Sequence, residues 1–201
     1  PITEIDSNPT LSPTKFDDTS DEDVVIKSYS VVRLTGTAID EDKFGSSIVM
    51  LPDKNGDGVS DMAVGAPGFT FEEENGNMIK QVGFLALFNL KGNGAWKSYE
   101  FHYGCDYGYD KNDHFGCSVV PVRDINNDTR YDLAVGAYNA DGGGSVTIMH
   151  RDVEKTKGAC SEMNVYNHTT LTPAEIGVTL NYFGYAMAVS YTHLRAHETK
   201  W

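Results

Sequence analysis

The chain has 201 residues, 40% of them hydrophobic, with 20 Gly, 11 Tyr and a formal net charge of −13. This composition gives enough apolar side chain for a sound core and suits a turn-rich all-β protein, not a disordered one. The acidity argues against nucleic-acid binding, which calls for a basic patch. No apolar run approaches the roughly 18 residues of a membrane span.

The charge is concentrated. Residues 1–23 carry seven acidic side chains against Lys15 and read as an acidic flexible linker. Two loops described below contribute six aspartates more, so the remaining surface is close to neutral. The start at Pro1, with no initiator Met and no signal-like apolar stretch, leads to the expectation that one or both ends have been removed.

From residue 24 the pattern turns to strands. Residues 24–34, VVIKSYSVVRL, read as an outer strand that precedes a repeat. The repeat itself begins at Phe44 with FGSSIVMLPDKNGDGVSDMAVGAP and returns at Phe115, 71 residues on, as FGCSVVPVRDINNDTRYDLAVGAY. A fixed period of this size, in units too short to bury their own apolar faces, marks stacked or radially repeated supersecondary structure.

Each copy holds an acidic nine-residue loop between apolar runs. Oxygen-bearing side chains recur at positions 1, 3, 5 and 9: Asp53, Asn55, Asp57 and Asp61 in the first loop, Asp124, Asn126, Asp128 and Asp132 in the second. Hard cations such as Ca²⁺ take six to eight oxygen ligands, and the backbone carbonyl at position 7, Val59 or Arg130, adds one more. Three carboxylates within nine residues repel one another unless a cation joins them. The competing reading is that DKNGDG and DINNDT are hairpin turns, because Asn, Asp and Gly tolerate left-handed backbone. An EF-hand is excluded, since its position 12 needs Glu and here holds Val64 or Val135. At position 6 the first loop has Gly58 and the second Thr129, a β-branched residue disfavoured in left-handed geometry. The second loop is therefore expected to bind its ion more weakly.

Apolar runs after each loop complete a four-strand unit: MAVGA, then residues 83–90 and 95–103 in the first copy; LAVGA, then 144–151 and 160–167 in the second. Four strands per repeat is the signature of a propeller blade. The fold expected is all-β, a partial β-propeller with two complete four-stranded antiparallel blades, at about 44–103 and 115–167. A preceding outer strand and the first strand of a third blade, announced by Phe183 and Gly184, would complete a propeller segment over 24–189. Residues 190–201 break the strand pattern and read as a non-native or disordered tail. The phenylalanine of each FG is expected to pack between blades, and Gly45, Gly65, Gly116 and Gly136 to permit close approach or positive φ.

Phe44 and Gly45 with Gly65, Ala66 and Pro67 around an Asp-rich loop resemble the FG-GAP repeat of integrin alpha chains and related β-propellers. The second copy departs from the pattern in having Tyr138 in place of Pro. The resemblance implies a Ca²⁺-binding, extracellular or cell-surface adhesion or recognition segment that acts by binding a protein ligand or partner subunit and is not an enzyme. No GxSxG, HExxH or P-loop motif is present. The alternatives are a non-catalytic accessory propeller of a secreted hydrolase such as a phospholipase, or an intracellular scaffold. In the resembled family the face opposite the cation loops engages ligand, which points to the 68–82 loop, with Glu72, Glu73 and Glu74, and to the loop bearing Tyr107 and Tyr109. Sequons stand at Asn167 and at Asn127, of which Asn167 is the expected glycosylation site because Asn127 lies inside an ion loop. Cys105, Cys117 and Cys160 have no zinc spacing. They are either buried thiols or one disulfide with a leftover thiol, Cys105 and Cys117 being the nearer pair.

Overall fold

The computed structural model describes residues 40–53, 56–91, 96–157, 160 and 164–188. The expected linker at 1–23, the outer strand at 24–34, Asn55 and the tail at 190–201 lie outside the described residues.

The fold is all-β. In chain order the strands are β1 (Ser47–Leu51), β2 (Asp61–Ala66), β3 (Phe71–Glu72), β4 (Met78–Ile79), β5 (Phe84–Leu90), β6 (Trp96–Tyr103), β7 (Phe115–Val122), β8 (Asp132–Ala137), β9 (Ser145–Lys157) and β10 (Asn164–Leu171). They form two antiparallel four-stranded blades, β1-β2-β5-β6 and β7-β8-β9-β10, and a small β3-β4 hairpin set into the β2–β5 connection. This is a partial β-propeller, as the four apolar runs per repeat imply.

Strand periodicity decides which side chain faces which blade, because successive residues point to opposite faces. On blade one, Ala63, Leu85 and Leu87 join Phe115, Leu133, Val135 and Met149 of blade two in a shared buried cluster. The alternate residues Val64, Ala66, Phe84, Ala86 and Phe88 form a second cluster on the other face. That second face has no neighbouring blade among the described residues. Ile48 on it is 63% exposed, whereas Val119, its counterpart in blade two, is 6% exposed because its face meets blade one.

The blades join through glycine. A Cβ on Gly65 would overlap the carbonyl oxygen of Gly116, and one on Gly136 that of Gly184. Only hydrogen leaves room for the next FG. Ser47 Oγ donates to Gly116 O at 2.8 Å, and Ser118 Oγ to Gly184 O at 2.6 Å. Parallel bridges link Gly83 with Phe115 and Gly144 with Phe183. Phe115 is fully buried between the blades, as expected of the FG phenylalanine. The third FG thus docks on blade two as the second docks on blade one, although no strand follows Leu171 among the described residues.

Two expectations need correction. The last strand of blade two is Asn164–Leu171, not 160–167, because it pairs through Leu171 opposite Val146 across a bulge at Tyr166/Asn167. The nearer cysteine pair is not the bonded one: Cys105 is bonded to Cys160, with Cα atoms 5.7 Å apart. Cys105 sits in the turn between blades facing the β9–β10 connection, while the Cys117 thiol on β7 is free and points at Gly184 O.

Candidate metal centre and opposite face

Outside positions 2 and 3, where residues 54 and 55 are not described, the β1–β2 and β7–β8 loops share their turning points and most of their carboxylate-to-backbone bonds. Position 1 organises each turn: Asp53 Oδ2 accepts the Gly58 N–H at 2.6 Å, and Asp124 Oδ2 accepts the Thr129 N–H at 2.7 Å. The other oxygen takes the Gly56 N–H at 2.8 Å in the first loop and the Asp128 N–H at 2.9 Å in the second. Position 5 caps position 7, with Asp57 Oδ1 accepting from Val59 N–H at 3.0 Å and Asp128 Oδ1 from Arg130 N–H at 2.8 Å. Asn126 accepts from the Asp128 N–H at 3.3 Å.

The chain turns left-handed at positions 4 and 6 of both loops. Gly56 and Gly58 have φ of 77° and 83°, Asn127 and Thr129 of 65° and 74°. Asn tolerates this geometry; a β-branched residue does so at a cost of about 1–2 kcal/mol. Thr129 therefore occupies the conformation that the sequence argument marked as unfavourable.

Position 9 has a second duty that the ligand pattern did not reveal. Asp61 and Asp132 are buried, and Oδ1 of each accepts a backbone N–H of the third strand, from Leu90 at the end of β5 at 3.1 Å and from Arg151 midway along β9 at 3.3 Å. Asp132 Oδ2 also accepts the Ile125 N–H at 2.8 Å, with His150 Nδ1 3.5 Å away. These carboxylates tie the start of the second strand to the third, so the loop ends are fixed by the sheet. The only hint in the sequence was that each aspartate directly abuts its apolar run.

Among the described residues no group of three or more His, Cys, Asp or Glu side chains is spaced to hold a metal ion. Here the carboxylates turn toward backbone N–H groups. The donor set still fits a hard cation in kind, being oxygen only. Each carboxylate oxygen has two acceptor sites, so N–H bonds and an ion are compatible.

At the other end of the blades the tyrosine expectation is overturned. Tyr107 and Tyr109 are 5% and 7% exposed, with rings 5.4 and 5.3 Å from that of Phe115. The Tyr109 hydroxyl lies 2.6 Å from Thr147 Oγ1 and accepts from Ser145 Oγ at 2.8 Å, and that of Tyr107 lies 2.8 Å from His102 Nδ1. Burial pushes both phenols up. The connection must cross the FG phenylalanine, and flat rings with satisfied hydroxyls cover it. What remains at this end is the β3–β4 hairpin, with Glu72 and Glu74 exposed and Phe71 packed on Tyr103 at 4.9 Å.

A family model described as FG-GAP repeat matches residues 44–78 and again 115–149. The chain carries two FG-GAP repeats. Both loops, and the glycines that join the blades, lie inside the matched residues or at the site where the next FG docks. Over 111 residues, 53% of the chain, it is 34% identical to integrin alpha-8 of Gallus gallus. Over 95 residues, 47% of the chain, it is 32% identical to integrin alpha-M of Mus musculus. The matched stretches, about half of the chain, span only 10% and 8% of those proteins. No helix among the described residues is long and apolar enough to cross a membrane.

Proposed function

We propose that this chain is a Ca²⁺-binding segment of an extracellular adhesion or recognition propeller, acting by holding a protein ligand or partner subunit and not by turnover. The observation that carries the reading is the pair of loops: two sequences sharing mainly their Asp and Asn positions turn left-handed at the same two places and bond the first carboxylate to the same backbone N–H. The similarity to proteins named as integrin alpha chains supports the receptor class. The Cys105–Cys160 bond supports an oxidising compartment and disfavours the intracellular scaffold.

Asp53, Asn55, Asp57, Asp61 and the Val59 carbonyl would hold the first ion, and Asp124, Asn126, Asp128, Asp132 and the Arg130 carbonyl the second. The bound ion supplies positive charge that offsets carboxylate repulsion. The chain's own part is to fix the loop ends through Asp61 and Asp132 and to present the opposite end, with residues 68–82, to a partner. Tyr107 and Tyr109 have no place in that face, and a glycan at Asn167 would stand on the edge strand β10.

The test is thermal unfolding against Ca²⁺ concentration. For a dissociation constant of about 10⁻⁴ to 10⁻³ M, ~10 mM Ca²⁺ stabilises by about 1.4–2.7 kcal/mol per site. Asp57→Ala should remove the larger share of that shift. A Tm indifferent to Ca²⁺ in both wild type and variant would sink the metal reading.

A further inference from the structure

We infer that Asn127, at the tip of the second acidic loop, is an N-glycan acceptor, so that one of two otherwise equivalent loops carries a sugar. The inference rests on the extracellular reading. Asn127, Asp128 and Thr129 form a sequon, whose acceptor and hydroxyl residues are both exposed. Asn127 is exposed at φ 65°, and its side-chain amide is absent from the loop's hydrogen bonds, whose acceptors are Asp124, Asn126, Asp128 and Asp132. Thr129 is exposed as well.

The alternative sequon is less open. Asn167 is half-buried at the β10 bulge, and its Thr169 hydroxyl lies 3.0 Å from His150 Nε2. The objection that a glycan at Asn127 would displace an ion does not hold at this position. Position 4 supplies no oxygen to the 1, 3, 5, 7, 9 pattern, and the first loop has Gly56 there. Sugar and ion would use different atoms.

Thr129 gives the argument its second support. The first loop puts Gly58 in the left-handed position 6, whereas the second puts a β-branched residue at φ 74°. A sequon requires Ser or Thr there, so the strained residue is the one that glycosylation needs. The closed Cys105–Cys160 bond points to the oxidising compartment in which such acceptors are modified.

The chemistry is a group transfer without redox change. Asn127 Nδ2 attacks the anomeric carbon of a lipid-diphosphate-linked oligosaccharide. A C–N bond forms, the C–O bond to the diphosphate breaks, the lipid diphosphate leaves, and the amide proton passes to a base of the transferase.

The experiment expresses the full chain behind a secretion leader in cultured eukaryotic cells. Trypsin cuts after Arg123 and Arg130, isolating residues 124–130. Release of the glycan by peptide N-glycosidase in heavy-oxygen water should leave that peptide with Asn127 converted to labelled Asp. The glycosidase-sensitive gel shift contributed by this site should vanish in Asn127→Asp, which keeps a residue tolerant of left-handed backbone, and in Thr129→Gly, which relieves the strain. It should persist in Asn167→Gln. An unlabelled 124–130 peptide on a secreted chain whose Cys105–Cys160 bond is closed overturns this inference and leaves the extracellular reading standing. Free thiols at Cys105 and Cys160 on the secreted chain, with no label, overturn both.

Discussion

Replacing Gly65 with Ala adds one methyl group where two blades touch. The nearest atoms to that carbon would be Gly116 O and Ser47 Oγ, both inside the 3.0 Å that real Cβ atoms essentially never breach. The serine can rotate, but Gly116 O is backbone of the neighbouring blade, so relief requires the blades to part. Overpacking of this kind costs about 1–3 kcal/mol. Moving Ser47 aside forfeits its bond to Gly116, a further loss of about 1 kcal/mol. A total near 3 kcal/mol lowers Tm by about 9 °C for a domain of this size. Differential scanning calorimetry of Gly65→Ala, Ser47→Ala and the double variant measures it. Gly136→Ala makes the same overlap with Gly184 and Ser118. It should cost less, because the docked third FG brings no further strand among the described residues to resist displacement. A drop below roughly 2 °C for Gly65→Ala, or full recovery in the double variant, would refute the claim that the Gly116 carbonyl sets the blade spacing.

Three further outcomes are expected. In the Asp57→Ala chain, where the second loop alone keeps its full acidic set, Thr129→Gly should enlarge the Ca²⁺-dependent rise in Tm; an unchanged or smaller rise counts against the strain argument. Opening the 55-residue span between Cys105 and Cys160 with paired serines should cost about 4 kcal/mol in denaturant unfolding, and a loss below ~1 kcal/mol would mean that the unfolded chain is not restrained by the bond. His114 donates through Nδ1 to Pro67 O at 3.0 Å and stacks on Tyr138 at 4.7 Å; burial, the largest cause, pulls its pKa below 6.5, with Lys43 pulling the same way and the Pro67 bond and Asp113 opposing. The unfolded state then binds the proton more tightly, so stability should fall as pH drops through about 6.5. His114→Gln should flatten that part of a Tm–pH profile, and an unaltered slope would show that another group is responsible.

Much of the fold was legible because its cause is local. Alternation along MAVGA and LAVGA places Ala63 and Val64 on opposite faces whatever lies beyond, and the 71-residue repeat implies that both copies solve the same packing problem. The loop pattern was legible for the same reason, since an aspartate reaches backbone N–H groups a few residues ahead. The β3–β4 hairpin was missed because its two-residue strands leave no periodic trace. Position 9 was read only as a ligand because Leu90 and Arg151, which it holds, lie 29 and 19 residues away.

By itself, the sequence determined that this is a repeat of four-stranded units with acidic loops at one end; that glycine is required at 65 and 136 came from the neighbouring FG carbonyl that lies against each. The tertiary structure alone decided which partners meet. Tyr107 and Tyr109 looked like a presentation surface until Phe115 of the next blade was set beneath them, and Cys105 found Cys160 over the nearer Cys117. The physical reason is the same in both cases. Backbone period and turn chemistry act over a few residues, whereas the burial of a ring or the pairing of a thiol depends on what a neighbouring blade places opposite it.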